Sequence, residues 1–245
     1  MKILITGHKG FIGSHVYETL TRKGHETYGL DFPDDIGEWD RYEKVFSPPF
    51  DCVVHLAAFA ALRESIDKPE VFWKNNVEKT KPIFDYCRRN EIRLLYASSA
   101  GVYEWWRNPY VMTKKVNEVM APPNSVGMRF FNVWAEEGSR DDMLYRMLQE
   151  GTARYLTRHK RDWVHVEDVC SAIEKLIYSD YTGVVDVGTG VATSVLEFAN
   201  ALIGENELPI QEWTPKEPDI LKANPVVLRE MGWNPTPFLD KIQSK

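Results

Sequence analysis

Residues 2–13 read KILITGHKGFIG, in which three glycines stand three residues apart directly after an apolar run. The first five of these residues have the composition of a buried strand. After the turn, Ile12, Val16 and Leu20 recur every four residues, which is the pattern of an amphipathic helix. The stretch therefore predicts a strand, a glycine turn and a helix, the opening of a βαβ unit in a parallel sheet.

The glycine turn predicts a binding site for phosphate groups. Gly7 would permit the tight turn, Gly10 the close approach of a ligand, and Gly13 the close packing of helix on strand. The helix N-terminus behind them adds partial positive charge. Asp31 lies 18 residues after Gly13, at the end of the next apolar run, where a carboxylate would bind an adenosine ribose and repel a 2′-phosphate. The sequence therefore predicts NAD rather than NADP; the alternative is a structural turn and a solvated aspartate.

The rest of the chain alternates strand-like and helix-like segments. Further strands are predicted at HETYGLDF (25–32), DCVVHLAAFA (51–60), IRLLYAS (92–98), SVGMRFFNV (125–133) and VVDVGTG (184–190). Helices are predicted over residues 69–89, 109–120 and 165–179. A third strand is hard to see between Asp31 and Val53, and we interpret IGEWDRYEKVF (36–46) as its remainder. This alternation predicts an α/β fold, a doubly wound parallel sheet with a small C-terminal lobe.

Composition excludes several other classes of protein. The 245 residues are 43% apolar and 27% charged, as is usual for a soluble globular protein. A formal net charge of −6 argues against nucleic acid or an anionic membrane as a partner. Cys52, Cys87 and Cys170 are scattered and odd in number, which favours a reducing compartment and no disulfide framework. We expect a cytoplasmic protein, and no motif suggests a metal site.

The stretch NPYVMTKK (108–115) supplies candidate catalytic residues. Tyr110 and Lys114 are four residues apart and so share one face of the predicted helix. A nearby ammonium favours the phenolate and lowers the tyrosine pKa toward the range useful for acid–base catalysis. Ser99 ends a predicted central strand 11 residues earlier, at the sheet edge where ligands bind, and would hydrogen-bond the substrate oxygen whose proton Tyr110 takes. The alternatives are a capping serine and a surface tyrosine.

Seven ordered motifs resemble those of extended short-chain dehydrogenases/reductases, in particular their NAD-dependent sugar-nucleotide epimerase/dehydratase branch. They are TGHKGFIGSH (6–15), VVHLAA (53–58), YASSAGVYE (96–104), YVMTK (110–114), RFFNVW (129–134), RDWVHVEDV (161–169) and DVGTG (186–190). The resemblance is faint again at LREMGWNPTP (228–237). It implies a Rossmann-like NAD-binding domain over residues 1–130, with 163–190 returning to it, and a small, reduced substrate-binding lobe formed by 131–162 and 191–245.

The resemblance also implies roles for the matching positions. Contacts with the dinucleotide are implied for Gly7, Gly10, Phe11, Ile12, Gly13, Asp31, Leu56, Ala57, Ala58 and Lys114. Tyr110 is implied as the general base and Ser99 as its partner, with Ser98 the less favoured neighbour. Contacts with a nucleotide-diphosphate sugar are implied for Asn76, Ser99, Asn132 and Arg161. As alternatives, Arg161 could pair with Asp162, and the two asparagines could cap local structure.

For the reaction, the resemblance implies an NAD-dependent epimerase that acts at C4 by transient oxidation to a keto sugar. Ser99, Ala100 and Gly101 stand where dehydratase relatives carry threonine, aspartate and glutamate, which argues against dehydration. The alternatives are an NAD(P)H-dependent nucleotide-keto-sugar reductase and a non-catalytic NAD-binding protein. A homodimer formed through the helices at 69–89 and 109–120 is also implied.

Two segments are shorter than in such relatives. Only six residues separate Tyr103 from Tyr110, and this link contains Trp105 and Trp106. The two tryptophans would either form an apolar wall of the sugar pocket or simply pack. The segment between Asn132 and Arg161 is also short, which predicts a reduced substrate lobe that binds a smaller sugar or needs a partner chain.

Overall fold

The computed structural model describes residues 1–31, 33–45, 49–139, 143–212 and 217–243. The chain forms two compact units. The first comprises residues 1–129 and 173–185, and the second comprises residues 130–172 and 186–245. None of the helices in the described ranges is long and apolar enough to cross a membrane.

The elements alternate along the chain as the sequence predicts. The strands are β1 (Lys2–Thr6), β2 (Glu26–Leu30), β3 (Cys52–His55), β4 (Arg93–Ser99), β5 (Ser125–Phe130), β6 (Asn132–Trp134), β7 (Leu156–Thr157), β8 (Lys160–His165), β9 (Gly183–Val187), β10 (Ala192–Ser194), β11 (Ile210–Gln211) and β12 (Ile220–Leu221). The α-helices are α1 (Phe11–Arg22), α2 (Trp39–Val45), α3 (Leu62–Asp67), α4 (Pro69–Trp73), α5 (Lys81–Arg89), α6 (Pro109–Met120), α7 (Leu144–Gln149), α8 (Val166–Ile177), α9 (Val195–Ile203), α10 (Val226–Glu230) and α11 (Phe238–Gln243).

The first unit is built around a six-stranded sheet in the order β2-β1-β3-β4-β5-β9. Strand β1 pairs in parallel with β2 and β3, and β3 pairs in parallel with β4. All four residues of β3 are buried, as expected for a central strand covered on both faces. The predicted α/β fold with a parallel sheet is confirmed.

Residues 36–45 are helical, so the interpretation of this segment as the remainder of a strand is wrong. Ile36–Glu38 is a turn of 3₁₀-helix and leads directly into α2. Ile36, Trp39 and Tyr42 are buried and recur every three residues, which is the spacing of one helix face rather than the alternation of a strand. Trp39 packs on Tyr86 with ring centroids 4.8 Å apart. Phe46, the last residue of the predicted segment, lies outside the described residues.

The helix predicted over residues 69–89 is present as three pieces. α4 is followed by a π-helical turn, Lys74–Glu78, and then by α5. Pro82 in the first turn of α5 explains the change, because proline has no N–H and its ring clashes with the carbonyl four residues earlier. The widened turn contains Asn76, one of the predicted site residues.

The second unit contains a smaller sheet centred on β8. β10 pairs with it antiparallel, whereas β12 and β6 pair with it in parallel. The stacked rings of Trp163 and Phe198, with centroids 3.7 Å apart, lie in its core. Asp162 is fully buried, and its carboxylate accepts hydrogen bonds from the backbone N–H groups of Thr189 (2.7 Å), Gly190 (2.7 Å) and Ala223 (3.1 Å). This carboxylate therefore ties β8 to two distant loop segments.

The glycine turn packs backbone against backbone. A Cβ atom at Gly13 would lie 1.9 Å from the carbonyl oxygen of Gly7. Gly7 has a φ of +73°, and a Cβ atom there would lie 2.6 Å from the backbone nitrogen of Ala57. Neither neighbour is a side chain that can move aside, so both positions require glycine.

We expect Gly13→Ala to destabilise the fold by more than about 3 kcal/mol, because α1 must shift to admit the methyl group. Gly24→Ala is the matched control: Gly24 has a φ of +83° but nothing within 4 Å of its Cβ position, so only backbone strain of about 1 kcal/mol is expected. Urea unfolding of both variants measures the difference. Equal losses in the two variants would contradict the close backbone contact.

Candidate active site

The N-terminus of α1 has the features of a phosphate cradle. Gly10 precedes the helix with extended backbone (φ −75°, ψ 171°), makes no side-chain capping hydrogen bond and is exposed. The first turn of α1 contains no acidic residue. Because the first N–H groups of a helix have no partner within the helix, they are available to an anion. A pyrophosphate group therefore fits this site.

Asp31 lies beside the cradle, as the sequence predicts. It follows β2 directly, is half-buried, and accepts a hydrogen bond of 2.7 Å from the backbone N–H of Lys9 in the glycine turn. The segment 56–58 follows β3, and the N–H of Leu56 donates to the carbonyl of Thr6 at the end of β1 (3.0 Å). The structure thus places the glycine turn, Asp31 and residues 56–58 at the carboxyl ends of three adjacent strands, whereas Lys114, the other predicted cofactor residue, lies on α6.

Lys114 is almost completely buried, with 3% of its surface exposed. Its ammonium donates a hydrogen bond of 3.0 Å to the backbone carbonyl of Ala97 on β4. Burial lowers the pKa of Lys114 to about 8. Tyr110 lies one helical turn earlier on α6 and is half-buried; its backbone N–H donates to Ser65 Oγ (3.2 Å). The predicted tyrosine and lysine therefore lie on the same helix, and the lysine ammonium is shielded from solvent.

The two candidate serines have different partners. Ser98 is buried, and its hydroxyl donates to Glu118 Oε1 at 2.7 Å. Ser99 is half-buried, and its Oγ accepts a hydrogen bond from the N–H of Gly101 (3.2 Å). Successive residues of a strand point to opposite faces, so only one of the two can face a ligand. The engagement of Ser98 with a buried carboxylate supports Ser99 as the partner of Tyr110.

A buried ion pair behind this region was not predicted from the sequence. Glu118 on α6 binds Arg129 on β5 through two hydrogen bonds, of 2.8 Å to Nε and 2.9 Å to Nη2. Burial alone would raise the pKa of Glu118, but hydrogen bonds from Arg129 and Ser98 outweigh it and lower the pKa. The Arg129 guanidinium also lies 4.7 Å from the ring centroid of Tyr103, a cation–π contact. Glu118 and Arg129 lie on different elements, so no local sequence pattern indicated that they pair.

Asn76 binds the protein's own backbone. It is fully buried; its Oδ1 accepts from the N–H of Phe59 (2.8 Å), and its Nδ2 donates to the carbonyl of Phe59 (2.9 Å). Nδ2 also lies 3.2 Å from Thr113 Oγ1 on α6. Asn76 therefore fixes the segment after Ala58 relative to the helix of Tyr110. Its direct contact with a sugar stays a prediction.

His55, at the end of β3, is a buried residue that the sequence analysis did not assign to the site. Its Nδ1 lies 2.7 Å from Thr6 Oγ1, and its Nε2 lies 3.0 Å from Thr80 Oγ1. Burial, with a smaller contribution from the charge of Lys114, lowers the pKa of His55 to about 3. A neutral imidazole therefore links the end of β1 to the chain before α5.

Two predicted substrate residues lie in the second unit. Asn132 is half-buried on β6, opposite Trp163 of β8. Arg161 on β8 is buried, and its Nη2 donates to Glu217 Oε2 at 3.0 Å. Among the described residues Arg161 is paired with Glu217 and not with Asp162, because successive residues of β8 point to opposite faces. Pairing of Arg161 with Asp162 was therefore the wrong alternative.

The tryptophans of the short link are exposed. The segment Ala100–Arg107 forms 3₁₀-helical turns that begin at Ser99. Trp105 is 40% exposed and Trp106 is 63% exposed, with their rings edge to face and 6.1 Å apart. Both rings are exposed to solvent, and an apolar wall of the sugar pocket stays a prediction.

Comparisons with known proteins define the family. A sequence model of the NAD dependent epimerase/dehydratase family matches residues 3–126. The chain belongs to this family, and its cofactor is NAD. Protein CapI of Staphylococcus aureus is 29% identical over 85% of this chain and 84% of its own length. The resemblance found in the sequence is thus confirmed at the level of the family.

Solved structures share the fold. The UDP-glucose 4-epimerase of Thermus thermophilus, in complex with NAD, aligns over 99% of this chain and 97% of its own with a TM-score of 0.83 and 23% identity. The NDP-hexosamine 5,6-dehydratase TunA aligns over 99% of this chain and 95% of its own with a TM-score of 0.82 and 22% identity. Epimerases and a dehydratase therefore occur on the same architecture.

The buried charge of Lys114 predicts a pH-dependent stability. Its pKa falls from 10.5 to about 8 on folding, so between those values the unfolded chain binds more protons and stability rises with pH. Below pH 8 the destabilisation caused by burying the charged ammonium has its full value. We expect Lys114→Met to raise the free energy of unfolding at pH 7 by about 1–2 kcal/mol, after loss of the hydrogen bond to Ala97. This gain in the free energy of unfolding should become smaller as the pH approaches 10.5.

Urea unfolding at a series of pH values checks this expectation. Lys115→Met is the matched control, because the Lys115 side chain on the same helix is 38% exposed. A gain for Lys114→Met that does not change with pH would contradict the assignment of the penalty to a buried ammonium.

Proposed function

We propose that this protein is an NAD-dependent nucleotide-sugar epimerase that acts at C4 by transient oxidation of the sugar to a keto sugar. The observation that carries the proposal is the buried ammonium of Lys114, one helical turn from Tyr110 on α6. A phosphate cradle at α1 and a half-buried Ser99 at the end of β4 accompany it. This set of groups suits proton transfer at a sugar hydroxyl next to a dinucleotide.

The cofactor would be held by the cradle and the strand ends. The turn residues Gly7 to Gly13 would bind the pyrophosphate, and Asp31 the adenosine ribose. Leu56, Ala57 and Ala58 would line the dinucleotide, with their backbone held by Asn76 through Phe59. When bound, NAD supplies the hydride acceptor and donor that no side chain can provide.

The chain's own residues would move the proton. Tyr110, as phenolate, takes the proton of the sugar hydroxyl and later returns it. The ammonium of Lys114 favours the phenolate, and its low exposure keeps that interaction strong. Ser99 would hydrogen-bond the same sugar oxygen and hold it in line with the phenol.

The diphosphate of the substrate would be bound by residues of the second unit. Arg161 suits that role because a guanidinium binds two phosphate oxygens with parallel hydrogen bonds. Asn132, half-buried on β6, would add a neutral amide contact. The T. thermophilus protein is a UDP-glucose 4-epimerase, which supports a UDP-sugar as the first substrate to test.

Dehydration and reduction are the competing reactions. The dehydratase TunA has the same fold, but Ser99, Ala100 and Gly101 offer no additional acid–base pair for the elimination of water. A reductase of a keto sugar would use the same tyrosine, lysine and serine. A non-catalytic NAD-binding protein would need none of the three, and their joint presence argues against it.

A panel of UDP-, GDP- and dTDP-sugars, with products resolved by NMR, separates these functions. Interconversion of two sugars without added NADH supports the epimerase, whereas consumption that requires NADH identifies a reductase. Loss of water from the sugar identifies a dehydratase. If the protein binds NAD but converts no sugar nucleotide of the panel, the result supports a non-catalytic NAD-binding protein.

We expect Tyr110→Phe to lower kcat at least about 100-fold, because it removes the general base and leaves the ring in place. Binding of NAD, measured by isothermal titration calorimetry, should stay within about twofold, since Tyr110 is not part of the phosphate cradle. Tyr178→Phe, at an exposed tyrosine of the same unit, is the control. Joint loss of NAD binding and turnover in Tyr110→Phe would show that this tyrosine has a structural role.

We also propose that the protein is a homodimer formed through residues 69–89 and 109–120; within these stretches, α4 and α6 pack against each other. Large apolar side chains are exposed on both helices: Val71 (41%), Trp73 (40%), Met112 (38%) and Val119 (77%). Burying such residues against a second copy removes apolar surface from water. A cytoplasmic location is supported by the three cysteines, which are buried and form no disulfide within the described ranges.

Sedimentation velocity tests the dimer. We expect Val119→Glu to convert the wild-type dimer to a monomer, because a carboxylate would be desolvated in the interface. Ile220→Glu replaces another exposed apolar residue, on β12, and should leave the dimer intact. A wild type that sediments as a monomer would contradict the proposal.

A further inference from the structure

Arg161, the residue proposed to bind the substrate diphosphate, already has an anionic partner in the protein. Its Nη2 donates to Glu217 Oε2 at 3.0 Å, and its Nη1 donates to the carbonyls of Lys160 (3.0 Å) and Asp219 (3.2 Å). The two charged residues are 56 positions apart in the sequence. The guanidinium is therefore neutralised by a carboxylate that the fold brings from a distant segment.

Within the ranges that the structure describes, the other buried titratable groups next to the pair are neutral or anionic. His159 lies two residues before Arg161, is 5% exposed, and has its Nδ1 3.0 Å from Thr157 Oγ1. Burial, followed by the positive charge of Arg161, lowers the pKa of His159, so its imidazole is neutral at physiological pH. Asp162 points to the other face of β8, where Thr189 and Gly190 satisfy its carboxylate. Glu217 is the carboxylate that hydrogen-bonds the guanidinium, and the nearby carboxylate of Asp219 adds a second negative charge.

The two partners differ in accessibility. The side chain of Arg161 is 6% exposed, whereas that of Glu217 is 27% exposed. An incoming anion must therefore take the place of the carboxylate, because two anions on one guanidinium repel each other at short range. Arg161 itself also donates to two backbone carbonyls, and these hydrogen bonds do not depend on the Glu217 carboxylate.

We propose that Glu217 is an affinity-determining residue whose carboxylate competes with the diphosphate of a nucleotide ligand for Arg161. The inference rests on the proposed function, since it takes Arg161 as a phosphate-binding residue. Binding then occurs by exchange: the ligand phosphate forms the charged hydrogen bonds that Glu217 gives up. The wild-type affinity for a nucleoside diphosphate is weakened by this internal carboxylate.

Glu217→Gln tests the competition, because the amide keeps the size of the side chain and its acceptor oxygen but removes the charge. The probe is UDP, titrated by calorimetry into the NAD-loaded full-length protein. We expect UDP to bind about tenfold more tightly than to wild type. Glu212→Gln is the matched control; it removes an exposed charge, paired with Arg158 at 3.5 Å, from the same part of the chain, and should change the Kd less than twofold.

A second variant links the effect to Arg161. Arg161→Gln, which removes the positive charge, should weaken UDP binding, and in the double variant Glu217→Gln should no longer tighten it. Urea unfolding of each variant verifies that it is folded. An unchanged or weaker affinity in folded Glu217→Gln overturns the inference, as does a gain that persists in the Arg161→Gln background.

Turnover separates failure of this inference from failure of the proposed function. If Glu217→Gln leaves UDP binding unchanged while wild type interconverts sugar nucleotides, only the competition is wrong. If neither protein binds UDP and wild type converts no sugar nucleotide, the proposed function and the inference both fail.

Discussion

The contact between two glycine backbones, at Gly7 and Gly13, is the constraint on which the rest of this structure depends. A single added carbon at Gly13 would lie 1.9 Å from the Gly7 carbonyl oxygen. The contact allows α1 to start directly at the end of β1, with its uncapped N-terminus at the carboxyl edge of the sheet. Ala57 packs against the same turn, so the loops after β1 and β3 have fixed positions. The candidate phosphate cradle depends on this one packing arrangement.

The charged side chains buried near the candidate catalytic residues differ in whether an opposite charge compensates them. The pair formed by Glu118 and Arg129 is neutralised internally and organises Ser98 and Tyr103. Lys114, by contrast, is buried against the neutral carbonyl of Ala97, and its pKa falls to about 8. The first arrangement stabilises a fixed geometry, whereas the second keeps a positive charge one helical turn from Tyr110 at the expense of stability.

In the second unit, two neighbouring residues of β8 also differ in how their buried charges are compensated. Asp162 is saturated by backbone N–H groups and supports the fold, whereas Arg161, on the opposite face, is paired with the more accessible Glu217. Their sequence motif, RD, does not reveal this difference, because an arginine next to an aspartate suggests that they pair with each other. The alternation of side chains along a strand separates them.

The sequence by itself determined the strand–turn–helix opening, the parallel sheet, helix α6 with Tyr110 and Lys114, and the family, because each depends on local periodicity or on an ordered motif. It did not determine the helix over residues 39–45, whose three-residue spacing was mistaken for a strand. Only the tertiary structure decided which groups neutralise the buried charges and which backbone Asn76 holds. Glu118 and Arg129 are 11 residues apart along the chain, Phe59 and Asn76 are 17 apart, and Arg161 and Glu217 are 56 apart. Pairing at such separations depends on how the elements pack, which no local pattern specifies.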